Sequence, residues 1–238
     1  MLMANTSFAQ TFSNIPINDI TLGDLTLEAT QITTLPAWYR EARDNVITDL
    51  EKRYHHYSND HGNYLRIDSH DNNQFLFVES TKEALNLFFE ANSGRTIFVA
   101  SCNKGVSSIK WSYDNQYFCY QETTAANDDF ILGSLHIGRV EDNELTDNIT
   151  LIENNSITET CWDLATEKLA FTDFHRLFIY FVQENKLYEV KTVWTNYPEG
   201  YPQRLDKLAF SLDGNYLIFR YRESYWGDTS VYYQVKFP

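Results

Sequence analysis

Three kinds of reactive side chain are grouped closely enough in this 238-residue chain to suggest chemistry: histidines, carboxylates and loop aromatics. His55, His56 and His61 lie close together, with Asp60 beside them. The spacing does not make a metal clamp. Neighbours on a helix point about 100° apart, whereas paired ligands need the i, i+4 relation, and no His-Glu-x-x-His occurs. His136 and His175 fall in expected strands without an evident partner, so the histidines read as ordinary core or surface residues and no metal is expected. Among 33 acids, no spacing singles out a pair for general acid–base work. There is no Gly-x-Ser-x-Gly elbow, Walker-type phosphate loop or Gly-x-Gly-x-x-Gly, so no catalytic residue and no cofactor is assigned. Cys102, Cys119 and Cys161 are odd in number and lack a Cys-x-x-Cys, which fits buried free thiols in a reducing compartment.

The third group suits recognition. Tyr197, Glu199 and Tyr201 share one segment, Glu223, Tyr225, Trp226 and Asp228 another, and Asp128 and Asp129 a third. Aromatics dominate interface hot spots, and carboxylates around them suit a basic partner. The plainer alternative is that these rings only pack their own loops.

The charge points the same way. The formal net charge is -14, which repels nucleic acid phosphates and anionic headgroups, so neither nucleic acid nor membrane is expected as a partner. Half of that charge lies between Glu122 and Glu153, where eight acids face the single base Arg139. The first ten residues lack a basic segment and a long apolar run, and no stretch of 18 apolar residues occurs. A cytoplasmic location is the expectation.

The elements that must position these groups come from a repeat. Ile109–Tyr120 and Leu208–Phe219 match position for position: aromatic, Ser, apolar, Asp, turn residue, polar, Tyr, then three apolar or aromatic residues. Thr160–Phe171 keeps the length and the aromatic ends, and Leu65–Phe77 is a weaker copy with one extra turn residue. The anchors Ile67, Trp111, Trp162 and Phe210 are 44, 51 and 48 residues apart, a period of stacked supersecondary units. Alternation and turn residues place strands at about 63–68, 74–80, 84–90 and 95–101, then 106–112, 116–122, 129–137 and 145–152. The third unit has them at about 157–162, 167–173, 175–182 and 186–194, and the fourth only at 205–211, 215–222 and 229–236. Residues 24–32 alternate and are expected to supply its missing strand.

An amphipathic helix over about 36–57 is expected between them, capped by Thr34, with Trp38, Tyr39, Ala42, Val46, Ile47, Leu50 and Tyr54 on its apolar side. That stripe is expected to plug or brace the β-structure.

Trp111-Ser-Tyr-Asp114 and Phe210-Ser-Leu-Asp-Gly214 resemble the turn between the first two strands of a blade in the WD-repeat and wider β-propeller family. The Gly-His dipeptide is missing, and Trp162-Asp163 ends a first strand rather than a third, so this is no true WD repeat. The resemblance implies an all-β, propeller-like ring of about four antiparallel blades in one domain: 1–62 as closing strand and helix, then 63–104, 105–155, 156–203 and 204–238.

In such a ring the segments 33–62, 122–129, 195–203 and 222–229 would gather on one face. Together these features point to a non-enzymatic protein-binding module. Its concrete form would be an acidic inhibitor or immunity protein neutralising a basic, toxin-like partner. A hydrolase acting on a sugar or lactone, and a scaffold subunit of a larger assembly, are the alternatives.

Overall fold

A computed structural model describes residues 21–22, 25–59, 62–81, 84–91, 93–102, 104–126, 131–173, 176–191, 204–222 and 230–238. The chain enters through β1 (Thr21–Leu22) and β2 (Ala29–Ile32), followed by the helix α1 (Ala37–Arg53). Sheet one is β3 (Tyr54–Asn59), β4 (Gly62–Asp68), β5 (Gln74–Ser80), β6 (Leu85–Ala91) and β7 (Thr96–Cys102), neighbours in that order. Sheet two is β8 (Val106–Trp111), β9 (Tyr117–Ala126), β10 (Ile131–Glu141) and β11 (Glu144–Asn155). Sheet three is β12 (Glu159–Trp162), β13 (Lys168–Thr172), β14 (Leu177–Phe181) and β15 (Lys186–Glu189), with β1 parallel on its outer edge. Sheet four is β16 (Arg204–Phe210), β17 (Tyr216–Arg222) and β18 (Ser230–Lys236), completed by β2 antiparallel to β18. The architecture is that of a divergent, four-bladed β-propeller-like protein.

The repeated motif is a turn with its own hydrogen-bond kit. The hydroxyls of Ser69 and Ser112 donate to Asp71 and Asp114, each at 2.7 Å, and Ser211 donates to Asp213 in the same way. Each serine also accepts the backbone N–H five residues on, from Gln74, Tyr117 and Tyr216 at 3.1, 2.9 and 3.0 Å. In sheet three Asp163 takes the serine's place and accepts the N–H of Lys168 at 2.9 Å. All four turns pass through the left-handed region at one position: Asn72 (φ 58), Asn115 (φ 60), Thr166 (φ 58) and Gly214 (φ 68). Asn and Gly tolerate this conformation; the β-branched Thr166 does not.

Strand pairing corrects the first copy of the motif. Asp68 pairs with Phe75 as Trp111 does with Phe118, Trp162 with Leu169 and Phe210 with Leu217. The turns are therefore of equal length, and Asp68, not Ile67, holds the anchor position. Ile67 was misleading because it is also a core residue, 1 % exposed, but on the opposite face of its strand.

The helix is shorter than expected. It stops at Arg53, and Tyr54 (φ -87, ψ 116) opens β3, because the aromatic run Tyr54–Tyr57 pairs along β4 instead. Pro36 is the N-cap residue and no side chain caps the helix, so Thr34 lacks the expected role. Ile47 points to solvent at 48 % exposed, while Tyr39 is buried. The entering strand is also more divided than expected. Leu27 and Ala29 exchange backbone hydrogen bonds with Lys191 beside sheet three before β2 crosses to sheet four. The N-terminal segment therefore ties two sheets together.

Replacing Ser112 or Ser211 by Ala should each lower stability by about 1–2 kcal/mol in urea unfolding, through loss of a turn donor and acceptor. Thr166→Asn should raise stability by up to about 1 kcal/mol, by relieving the left-handed strain; a drop would show that the Thr166 backbone is unstrained.

Candidate functional site

At a hub between the sheets, β4, β8 and β16 place backbone carbonyls that take side-chain donors from other elements. The Trp111 indole donates to Ile67 O at 3.1 Å and the Trp162 indole to Lys110 O at 3.4 Å, each reaching into the preceding sheet. Phe210 has no N–H to continue the series. At this joint Thr158 Oγ1 donates to Leu205 O at 3.0 Å, and the Glu159 carboxylate accepts the backbone N–H of Lys207.

Strands β8 and β16 each bulge three residues before the anchor, with Ser108 at φ 53 and Lys207 at φ 57. α1 and the residue after it fill both bulges. Tyr39 Oη donates to Lys207 O at 2.7 Å, the Arg43 guanidinium to Leu208 O at 2.9 Å and to Glu159, and Tyr54 Oη to Ile109 O. Burial first, and then Tyr232, push the Tyr39 hydroxyl above its ordinary range, so it stays a donor. At the far end Arg53 donates to Ser69 O at 2.6 Å and to Asp49 at 2.7 Å.

α1 is thus the expected brace. It runs from sheet four to the turn end of sheet one.

Under α1 lies a cavity of about 40 Å³, lined by Asp49, Leu50, Arg53, His70, Tyr113 and Cys161 among others. That is room for a few waters, not for a sugar ring. Burial, and then the charge of Arg53, lower the pKa of His70, which sits 3.8 Å from Asp49. A second space of about 380 Å³ opens between sheets two and three, beside Tyr117, Arg139, Asp147 and Tyr180. Among the described residues no three His, Cys, Asp or Glu gather as a metal would need. No described helix is long and apolar enough to cross a membrane.

The joints between sheets differ. Trp111, Phe118 and Tyr120 pack against sheet one, Trp162, Leu169 and Phe171 against sheet two, and Phe210, Leu217 and Phe219 against sheet three. The same register positions in sheet one are Asp68, Phe75 and Phe77, on the face turned away from sheet two. Phe118, Leu169, Phe171, Leu217 and Phe219 are 0 % exposed; Phe75 and Phe77 are only half-buried. Among the described residues no core cluster joins sheet four to sheet one. The facing side of sheet four, at Ala209 and Ile218, is covered by Trp38, Tyr39 and Ala42 of α1.

Sheet one therefore presents an aromatic flank. Phe77 stacks on Phe88 at 5.0 Å, and Phe75 and Phe98 lie 6.0 and 5.7 Å from these two. Strand register puts Glu79 and Glu90 on the same face, at its border. Arg66 lies 3.9 Å over the Phe75 ring and donates to Asp68, which also meets His55 at 3.1 Å.

The residues expected from sequence to bind a partner (Tyr197, Glu199, Tyr201, Glu223, Tyr225, Trp226, Asp228, Asp128 and Asp129) lie outside the described residues. The strand ends that lead toward two of those segments are basic: Arg204, Arg220 and Arg222 surround Asp206. Sequence reasoning passed over the aromatic flank. Its signal was Phe75-Leu-Phe-Val78, apolar on both faces of one strand, where a half-buried strand alternates. His136, read from sequence as a core or surface histidine without an evident partner, lies in the core, stacked on Tyr120 at 4.8 Å and bonded through Nδ1 to Thr150 at 3.0 Å.

No family model matches this chain, and no curated protein matches it significantly. Solved structures similar to it include an oligogalacturonate lyase in complex with manganese, at 13% identity over 71% of this chain with a TM-score of 0.42. TolB from Acinetobacter baumannii matches at 11% over 83% with 0.44, and a complex of KlAtg21 with the coiled-coil of AgAtg16 at 11% over 66% with 0.41. The match spans about half of those chains, 46%, 56% and 51% respectively.

Arg43→Ala should cost about 3 kcal/mol or more in urea unfolding, because it strands Glu159 half-buried. Tyr39→Phe should cost about 1–2 kcal/mol. Equal, negligible losses would show that α1 does not hold the hub.

Burial pushes the Asp206 carboxyl up, but the hydrogen bonds and charge of Arg220, with Arg222 and Arg204, hold it below its ordinary 3.8. A depressed folded pKa gives stability that is present above the unfolded value and lost as pH falls through the folded one. Asp206→Asn should therefore flatten the acid limb of stability below about pH 4. An unchanged slope in urea midpoints from pH 2 to 6 would contradict this.

Proposed function

We propose that the protein is a non-enzymatic, cytoplasmic binding module that docks a basic protein partner, in the manner of an acidic inhibitor or toxin-neutralising immunity protein. The observation that carries this reading is the aromatic flank of sheet one. Phe75 and Phe77 hold register positions that a neighbouring sheet seals in each of the other three sheets; here, among the described residues, no sheet packs on them and they are only partly buried. Clustered surface aromatics mark interaction sites, and their rings bind cations on their faces. Arg66 already uses Phe75 in that way.

Charge chooses the occupant. With a net charge of -14 and Glu79 and Glu90 at the border, the flank repels a second copy of this chain and attracts a cationic surface. The non-enzymatic part of the reading draws support from the small hub cavity. It also draws support from the larger groove, whose lining has one carboxylate, Asp147, where glycoside hydrolysis uses a pair.

A basic nuclease-type toxin domain encoded by a neighbouring reading frame is the partner to mix first. Calorimetry at 50 mM salt should show a tight complex that weakens by about tenfold or more at 500 mM. Phe77→Asp with Phe88→Asp should remove it while leaving the urea midpoint largely in place, since both rings are already partly in water. Binding that ignores both salt and these substitutions would overturn the reading.

A further inference from the structure

We propose that the Arg204–Arg222 end of sheet four is a binding site for a multiply charged oxyanion, built from Arg204, Arg220 and Arg222. The proposal stands independently of the protein-partner reading, since it concerns a different sheet and the opposite charge.

Register brings the three together. Arg204 pairs with Arg222 and Asp206 with Arg220 across β16 and β17, so all four side chains leave the same face. Asp206 is 6 % exposed and accepts a fork from Arg220, Nε at 2.7 Å and Nη2 at 2.8 Å, plus Arg222 Nη2 at 3.0 Å. Arg204 Nε stands 3.7 Å from the same carboxylate, beyond hydrogen-bond reach. Among the described residues one carboxylate therefore serves three guanidinium groups whose side chains are only 32%, 16% and 22% exposed, leaving a surplus of two positive charges there.

The donors are in surplus too. The Nε–H groups of Arg204 and Arg222 are shielded from solvent, and each lacks a hydrogen-bond acceptor. Shielded cations that share one counter-charge are costly and favour a further anion. Among the described residues, the nearby Glu159 carboxylate is already committed to Arg43 and to the Lys207 backbone N–H. Lys207 adds to the positive field: burial, and then the charge of Arg220, depress its pKa.

Guanidinium forks match phosphate and carboxylate oxygens by bidentate hydrogen bonding. The ligand chemistry is therefore that of a phosphate group or a dicarboxylate. In a chain of net charge -14, such a cluster is out of keeping with the general surface.

The test uses the full chain, titrated with inorganic phosphate and, separately, with succinate, each against chloride at equal ionic strength. Arginine Nε–H resonances report on the site directly. One or both anions should shift the Arg204 and Arg222 signals saturably. Arg204→Gln should weaken binding by about tenfold, with only a small fall in the urea midpoint because its ion pair with Asp206 is long, at 3.7 Å. Arg222→Lys should weaken it less than Arg222→Ala, since charge is kept and the fork is lost. Phosphate binding alone assigns a phosphate site, and succinate binding alone a carboxylate site. No saturable shift with either anion, or binding unaffected by Arg204→Gln and Arg222→Ala, would overturn the proposal.

Discussion

Backbone carbonyls at a narrow hub, each needing a donor, are the constraint on which this structure turns. Bulges at Ser108 and Lys207 turn carbonyls out of the sheet ladders, and a carbonyl shielded from water without a partner is costly. The chain answers with side chains of matching reach. Indoles of Trp111 and Trp162 serve the joints between consecutive sheets, and Tyr39, Arg43 and Tyr54 serve the bulges. The helix is therefore part of the hub. Its apolar side covers sheet four, while its polar groups complete the hydrogen bonding of three sheets.

This arrangement leaves the two flanks of the ring unequal. Sheet four borrows β2 from the N-terminal segment and is covered by α1, so its apolar face is sealed. Sheet one receives β3 along one edge but, among the described residues, no sheet or helix across Phe75, Phe77, Phe88 and Phe98. The same register that builds three dry interfaces elsewhere thus builds a partly buried aromatic surface at the beginning of the ring. Opposed to it in charge is the arginine cluster of sheet four. A strongly acidic chain that concentrates three guanidinium groups on one buried carboxylate is separating its charges in space. The two surfaces would then discriminate between partners of opposite sign.

How much of this was legible beforehand varies by element. The β-strands from Leu85 to Cys102 and from Val106 to Asn155 lie within a few residues of where alternation and turn residues put them. The Ser-x-Asp turn could be read because its chemistry is local: a hydroxyl, a carboxylate two residues on, and a left-handed residue next. Helix length was misjudged because Tyr54–Tyr57 continues a helical stripe in sequence while the free edge of β4 offers it a ladder. The aromatic flank was overlooked because a phenylalanine on an apolar strand looks alike whether or not a neighbouring sheet arrives.

By itself the sequence determined the four-unit repeat, its turns, the need for an N-terminal strand in sheet four, and the sign of the overall charge. These depend on period, local hydrogen bonding and composition, which a linear chain carries explicitly. The tertiary structure alone decided that three of the repeat's faces are dry among the described residues, that α1 and Tyr54 supply the hub's missing donors, and that Arg204, Arg220 and Arg222 meet on Asp206. Those outcomes depend on which surfaces are brought together after the sheets form, and residues 16 to 168 positions apart meet there only once the ring has been laid down.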